Sequence, residues 1–225
     1  MTDDAFSIPL ILLCVLAALP VGRVIGAMAA ALPDRAWPLG EGWRARPRPL
    51  ATLGAGAVAG MAALSAPWPL TPVACLFGWA LLLAALVDAR CRLLPDVVTL
   101  PLLPLGLAVT GWTAPDGDWS GPVIAHALAA LLGYALFAGL AAAYRRLRGR
   151  DGLGLGDAKL LAVAGAWVGV EGLPSVVLLA AVSALAVTLA RAALRGDRLS
   201  GGASIAFGPY LAVVLWLIWL VGSLR

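Results

Sequence analysis

The chain has 225 residues, of which 62% are hydrophobic and only 12% charged, a balance that excludes an ordinary soluble globular domain. Its formal charge is +4, from 16 Lys and Arg against 12 Asp and Glu. The basic residues fall in short groups between apolar runs, so the charge reports orientation in a membrane and not a nucleic-acid partner.

An apolar helix of about 17 to 25 residues crosses a hydrocarbon core of about 30 Å. Runs of this kind recur along nearly the whole chain and predict about eight spans: Phe6 to Ala27, Leu50 to Ala66, Leu70 to Val87, Val97 to Trp112, Val123 to Tyr144, Ala158 to Val170, Pro174 to Ala193 and Phe207 to Gly222. The fold class expected is all-α, a polytopic membrane helix bundle forming a single domain over residues 1–225. Continuous runs argue against a transmembrane barrel, whose strands alternate. The opening MTDDAF has acids and no basic residue, so the first run reads as a retained helix and not as a cleavable signal. The sixth span is short; Lys159 snorkels near its start and Glu171 marks its far end.

Arg35, Arg44, Arg46 and Arg48 follow span one, Arg90 and Arg92 follow span three, Arg145, Arg146, Arg148 and Arg150 follow span five, and Arg195 and Arg198 follow span seven. The connections between them, APWP, TAPDGDWSG and EGL, have no Lys or Arg. The positive-inside rule therefore places the four basic connections in the cytoplasm and both termini outside. Trp68, Trp112, Trp119, Trp216 and Trp219 are expected at the outer boundary, where amphipathic rings settle.

Within this frame two acids stand out. Asp88 ends the run LFGWALLLAALVD and Asp157 closes the glycine-rich string GLGLGD. An ionisable group in a membrane helix costs about 2.5 to 3.5 kcal/mol at its centre and less near the ends, so each needs a reason. Counting spans puts both at the cytoplasmic boundary, at one depth. Two carboxyl groups held together share a proton, and such a pair can activate water with one member while the other protonates an oxyanion or leaving amine. Gly152, Gly154 and Gly156 would let an extended backbone approach beside Asp157. Taken singly, Asp157 reads as a helix cap and Asp88 as an interfacial partner of Arg90 or Arg92; taken together at one depth, they read as catalytic.

Other polar residues have plainer readings. Asp96 follows Pro95 and is expected to cap span four, and Lys159 to anchor at the interface while tuning the acidic pair. His126 is expected as a hydrogen-bonded core histidine, and Arg23 as a snorkelling one. Cys14, Cys75 and Cys91 are too few and scattered for a disulfide framework or a C-x-x-C metal site. Two of them read as small core residues, and Cys91, close to Asp88, lacks the neighbouring His of a thiol nucleophile.

The segments VDARCRLLPDVVTLPLLPLGL, GLGLGDAKLLAVAGAWVG and FGPYLA resemble, in that order, three segments of the bacterial type IV prepilin peptidases, GxGD-class membrane aspartyl proteases. The resemblance covers most of the chain from Leu70 onward. It implies that Asp88 and Asp157 are the catalytic aspartates, with Gly154, Gly156, Asp96 and Lys159 in support. It implies an inner-membrane endopeptidase that removes the short basic leader of prepilins or pseudopilins at the cytoplasmic face, with the substrate's apolar helix and membrane lipid as partners. No metal or other cofactor is implied for proteolysis. Longer members carry a large loop after the first helix, often with paired C-x-x-C motifs that bind zinc, and methylate the product with S-adenosylmethionine. Here residues 28–49 form a short loop without cysteine, so neither zinc nor S-adenosylmethionine is expected.

The main rival is a multi-pass transporter using Asp88 and Asp157 for proton or cation coupling, although alternating-access sites lie near the midplane and not at one edge. A noncatalytic subunit of a pilus or secretion apparatus is a third reading. A presenilin-like protease would carry a late PAL tripeptide, which this sequence lacks.

Overall fold

The computed structural model describes residues 4–31, 49–149, 154–195 and 206–223. Arg35, Arg44, Arg46, Arg48, Arg150, Arg198 and Gly152, with most of the expected loop 28–49, lie outside the described residues. The described chain is helical, as its continuous apolar runs require: α1 (Asp4–Ala31), α2 (Pro49–Ser65), α3 (Thr71–Cys91), α4 (Asp96–Trp112), α5 (Ser120–Arg148), α6 (Leu155–Arg195) and α7 (Gly208–Gly222). Segments in α1, α3, α5 and α6 are long and apolar enough to cross a membrane, and α2, α4 and α7 are shorter apolar helices.

The expected sixth and seventh spans are the two halves of α6, which meet at a break at Gly169, whose φ of 66° and ψ of −175° lie outside helical values, and not at the expected EGL connection. Unbroken, a helix of this length would reach about 60 Å, twice the hydrocarbon thickness. Only glycine adopts this backbone cheaply. Space demands glycine as well, since a Cβ at residue 169 would stand 3.1 Å from His126 Nε2.

The centre of the bundle is built from α6, α7 and α3, where Leu160, Leu161, Val163, Leu211, Leu215, Phe77 and Leu81 are almost wholly buried. α6 packs on α4, α5 and α7, while α3 packs on α1, α2 and α7. α5 and α6 come together through missing side chains: a Cβ on Gly133 would lie 2.7 Å from the Leu161 carbonyl oxygen, and one on Gly165 would overlap the backbone of Ala129. Lipid tails are as apolar as leucine, so close van der Waals approach of this kind is what binds membrane helices. Large side chains that face outward, such as Leu131, Leu136, Leu178 and Leu185, give the bundle an apolar exterior suited to hydrocarbon.

Two of the expected boundary tryptophans are core residues instead. Trp68, Trp112 and Trp119 are exposed, but Trp216 and Trp219 are buried. Trp216 donates its indole N–H to the Ala74 carbonyl at 2.9 Å. Trp219 meets Phe77 and Trp167 edge-on, and those two rings stack with centroids 3.6 Å apart. An indole inside a bundle is stable where its N–H finds a partner, and Trp167 likewise donates to the Leu102 carbonyl at 2.8 Å.

The break in α6 makes a prediction. Gly169→Ala should lose about 1–3 kcal/mol through its left-handed backbone, visible as a lower melting temperature of the purified protein in detergent. Adding His126→Ala should restore only the part due to crowding; a Gly169→Ala protein that melts with the wild type would contradict the break.

Candidate active site

Asp88 lies in the last turn of α3, and that turn ends on Arg92, whose φ of 54° is left-handed and whose N–H donates back to the Asp88 carbonyl. A non-glycine residue in this region is uncommon. It stops the helix one turn beyond Asp88 and lets Leu93, Leu94 and Pro95 lead into α4. Arg90, in the same turn, donates from Nη1 to the Ala29 carbonyl at 3.2 Å, tying the end of α3 to the end of α1.

Asp157 lies in the first turn of α6, and its position explains its geometry. Its N–H donates to the Gly154 carbonyl at 3.1 Å, while the Gly154 N–H bonds its carboxylate. This is the reciprocal pattern of a capping box, with the acid three residues inside the helix. The capping role expected of Asp157 is thus present, and it does not exclude a second role for the same side chain.

The backbones beside the two carboxyl groups pack on one apolar side chain. A Cβ on Gly208, the first residue of α7, would stand 2.7 Å from Asp88 Oδ2 and 3.2 Å from Leu94 Cδ1, and a Cβ on Gly156 would stand 3.0 Å from Leu94. Leu94 therefore touches the backbone beside each acid, and Asp88 and Asp157 are near enough for their charges to act on each other. Asp88 is 5% exposed and Asp157 9%. The Gly208 N–H is directed at the Asp88 carboxylate, yet Oδ2 is buried with no hydrogen-bond partner. A buried carboxylate oxygen left unpaired is costly.

The supporting residues divide. Gly154 and Gly156 adjoin Asp157 as expected, Gly154 by direct hydrogen bonds and Gly156 by admitting Leu94. Asp96 does not cap α4: the N-cap position belongs to Pro95, which has no side chain to offer the helix amides, and Asp96 falls in the first turn. Its carboxylate pairs with Lys159 Nζ instead, so the ammonium expected to tune the acidic pair is engaged by a third carboxylate. Leu94 and Gly208 went unassigned in the sequence reading. Gly208 sits in the FGPYLA string, but only the fold shows what its missing side chain makes room for.

His126 is hydrogen-bonded as expected, to Thr110 and to the Ala166 carbonyl. Cys14 and Cys75 meet side chain to side chain, a contact that spacing in the chain did not reveal. Among the described residues, no three His, Cys, Asp or Glu side chains cluster as metal ligands would.

The apolar helices and candidate spans define a helical membrane protein, with two buried carboxyl groups at its helix ends. Residues 75–189 match the type IV leader peptidase family, and the chain belongs to that family. It is 44% identical over 137 residues to a prepilin leader peptidase/N-methyltransferase of Dickeya chrysanthemi, covering 61% of this chain and 46% of that protein. It is 41% identical over 165 residues to one of Burkholderia pseudomallei, covering 73% and 51% respectively. A protein of the same name from Stutzerimonas stutzeri is 35% identical over 152 residues, covering 66% and 49%. The chain thus spans about half the length of these curated relatives. No solved structure matches.

Because the Asp96 and Lys159 side chains remain 52% and 32% exposed, their ion pair should contribute little. A double-mutant cycle with Asp96→Asn and Lys159→Met, read by thermal unfolding in detergent, is expected to give a coupling of about 0–1 kcal/mol. A larger coupling would mean that the pair holds α4 to α6.

Proposed function

We propose that this protein is an aspartic endopeptidase of the bacterial inner membrane, which removes the short basic leader from type IV prepilins or pseudopilins at the cytoplasmic face. The observation that carries the reading is that Asp88 and Asp157, residues from opposite ends of two different helices, are both buried and near enough for their charges to interact. Family membership supports the reaction class, and the relatives' printed names supply the substrate class.

In the proposed reaction, one carboxylate takes a proton from water as its oxygen adds to the scissile carbonyl. The other, carrying the shared proton, gives it to the developing oxyanion. Collapse of the tetrahedral intermediate breaks the C–N bond, and the amine leaves with the proton held by the first acid. The unpartnered Asp88 Oδ2 suits contact with water or the scissile group. Asp157, held by Gly154, supplies the fixed member. Precise placement of both groups is worth several powers of ten in rate.

Orientation follows from charge. Arg90, Arg145, Arg146 and Arg148 lie in the last turns of α3 and α5, at the same end of the chain's alternation as the two acids, and basic ends face the cytoplasm. The substrate is itself a membrane helix preceded by a basic segment, so its apolar part would pack laterally against this bundle. The transporter reading fits less well, because Asp88 is in the last turn of its helix and Asp157 in the first turn of its own, while alternating-access sites favour the midplane.

Asp88→Asn and Asp157→Asn should each insert normally and lose leader removal from a coexpressed prepilin by about a hundredfold or more, read as persistence of the longer form on a gel. Processing at wild-type rate by both variants would end the proposal. Gly208→Ala should be well tolerated by a helix but press on Asp88 Oδ2, lowering kcat about tenfold to a hundredfold with little change in melting temperature. An unchanged kcat would remove Gly208 from the site.

A further inference from the structure

At the end of the bundle opposite the two aspartates lies a cavity of about 470 Å³, bounded by the last turns of α4 and α7, the first turns of α5 and the break in α6. Its volume suits a small organic ligand. Its walls are apolar, with Trp167 and Trp219 contributing aromatic surface, and four polar side chains open onto it: Thr110, Thr113, His126 and Ser223.

The hydrogen bonds of these four side chains share one direction. Thr113 donates its hydroxyl proton to the Val109 carbonyl at 2.9 Å, and Ser223 to that of Leu220 at 2.7 Å. Thr110 donates to the Ala166 carbonyl at 3.4 Å. His126 Nδ1 lies 3.1 Å from that same carbonyl, which can only accept, so in the neutral ring Nδ1 carries the proton and Nε2 carries a lone pair. Each of the four has therefore spent its proton on the backbone. What remains unspent on these lining residues is acceptor capacity, chiefly that of the Thr113 and Ser223 hydroxyl oxygens and of His126 Nε2, since Thr110 Oγ1 also lies 3.3 Å from His126 Nδ1. The Gly169 break is part of the arrangement, since a side chain there would crowd Nε2, and broken helices at membrane depth occur where they are buried in protein or line a cavity.

We propose that this cavity is a binding site for an apolar molecule bearing a hydrogen-bond-donating hydroxyl on an aromatic ring, a ligand of the phenol class. A donor hydroxyl satisfies the acceptors, above all His126 Nε2, and the ring packs against Trp167 and Trp219. A ligand offering only acceptors meets lone pairs and leaves them unsatisfied, a mismatch that discriminates against it. No protein group of the proposed peptidase reaction is involved.

The test uses the purified full chain in detergent with 2-naphthol as the probe and 2-methoxynaphthalene as its donor-free twin, binding being followed by quenching of tryptophan fluorescence and by equilibrium dialysis. Saturable binding of one 2-naphthol per chain is expected, at least tenfold tighter than the ether. His126→Phe, which keeps the ring and removes the acceptor, should abolish that preference while leaving the ether's affinity unchanged. Ala114→Leu, which narrows the cavity, should weaken both ligands. Should His126→Phe fail to fold, Thr113→Val is expected to lower naphthol affinity about threefold without affecting the ether. Equal affinity for the two probes, uptake that rises only with detergent, or a preference that survives His126→Phe would each overturn the proposal. Asp88→Asn should bind 2-naphthol as the wild type does, so failure here and failure of the peptidase reading are separately visible.

Discussion

Two carboxyl groups, each less than a tenth exposed and each in the other's field, are the costly feature around which the rest of the bundle is arranged. Burial of a charge is tolerated only when hydrogen bonds and fixed dipoles replace water. Both acids find these at the start of a helix. Asp157 sits in the first turn of α6 and bonds the Gly154 amide. Asp88 belongs to the end of α3, where its own helix offers carbonyls and the unfavourable end of a dipole, but it abuts the first residue of α7 and the Gly208 amide. Helix N-termini present unsatisfied N–H groups and a partial positive charge, so two such termini, with the Arg92 guanidinium acting on Asp88 as well, make a pair of buried acids tolerable.

That convergence requires small residues. Gly156 and Gly208 each leave space where a Cβ would strike Leu94 or Asp88, and Leu94 fills what is left. The short link from Arg92 to Pro95 sets Leu94 in place, because the left-handed Arg92 ends α3 abruptly and Pro95 begins α4. An apolar side chain packed beside both acids also keeps bulk water from screening them, which strengthens each electrostatic contact inside.

The acids were legible in the sequence because charge is rare in an apolar run and a single span count brings them to one depth. The helices were legible for the same reason, as continuous apolar stretches of membrane-crossing length. What stayed hidden depends on distinctions that an apolar pattern does not encode. Trp216 and Trp219 sit near the end of a hydrophobic run, as interfacial tryptophans do, yet they point inward because Ala74 and Phe77 wait there. The EGL string from Glu171 looks like the connection between two spans; in the fold the break falls earlier, at Gly169, and the helix continues through Glu171 and Pro174. Asp96 has the composition of a cap, but Lys159, 63 residues away in sequence, takes its carboxylate. Leu94 and Gly208 are ordinary residues whose roles exist only through partners from other helices.

The dimensions of the bundle tie the site to the proposed reaction. The first half of α6, from Leu155 to the break at Gly169, is only about 21 Å long, and α7, with 15 residues, is about 23 Å. Both are shorter than a hydrocarbon core of about 30 Å. A bundle whose central helices are too short must sink one end into the membrane or thin the bilayer around it. Either way, carboxyl groups at the helix ends lie within reach of the boundary where a substrate's apolar helix gives way to its polar leader. In the proposed reaction, a peptide bond at that boundary could be reached while the substrate's membrane segment stays helical, because extended backbone is needed only on the side that is already out of the hydrocarbon.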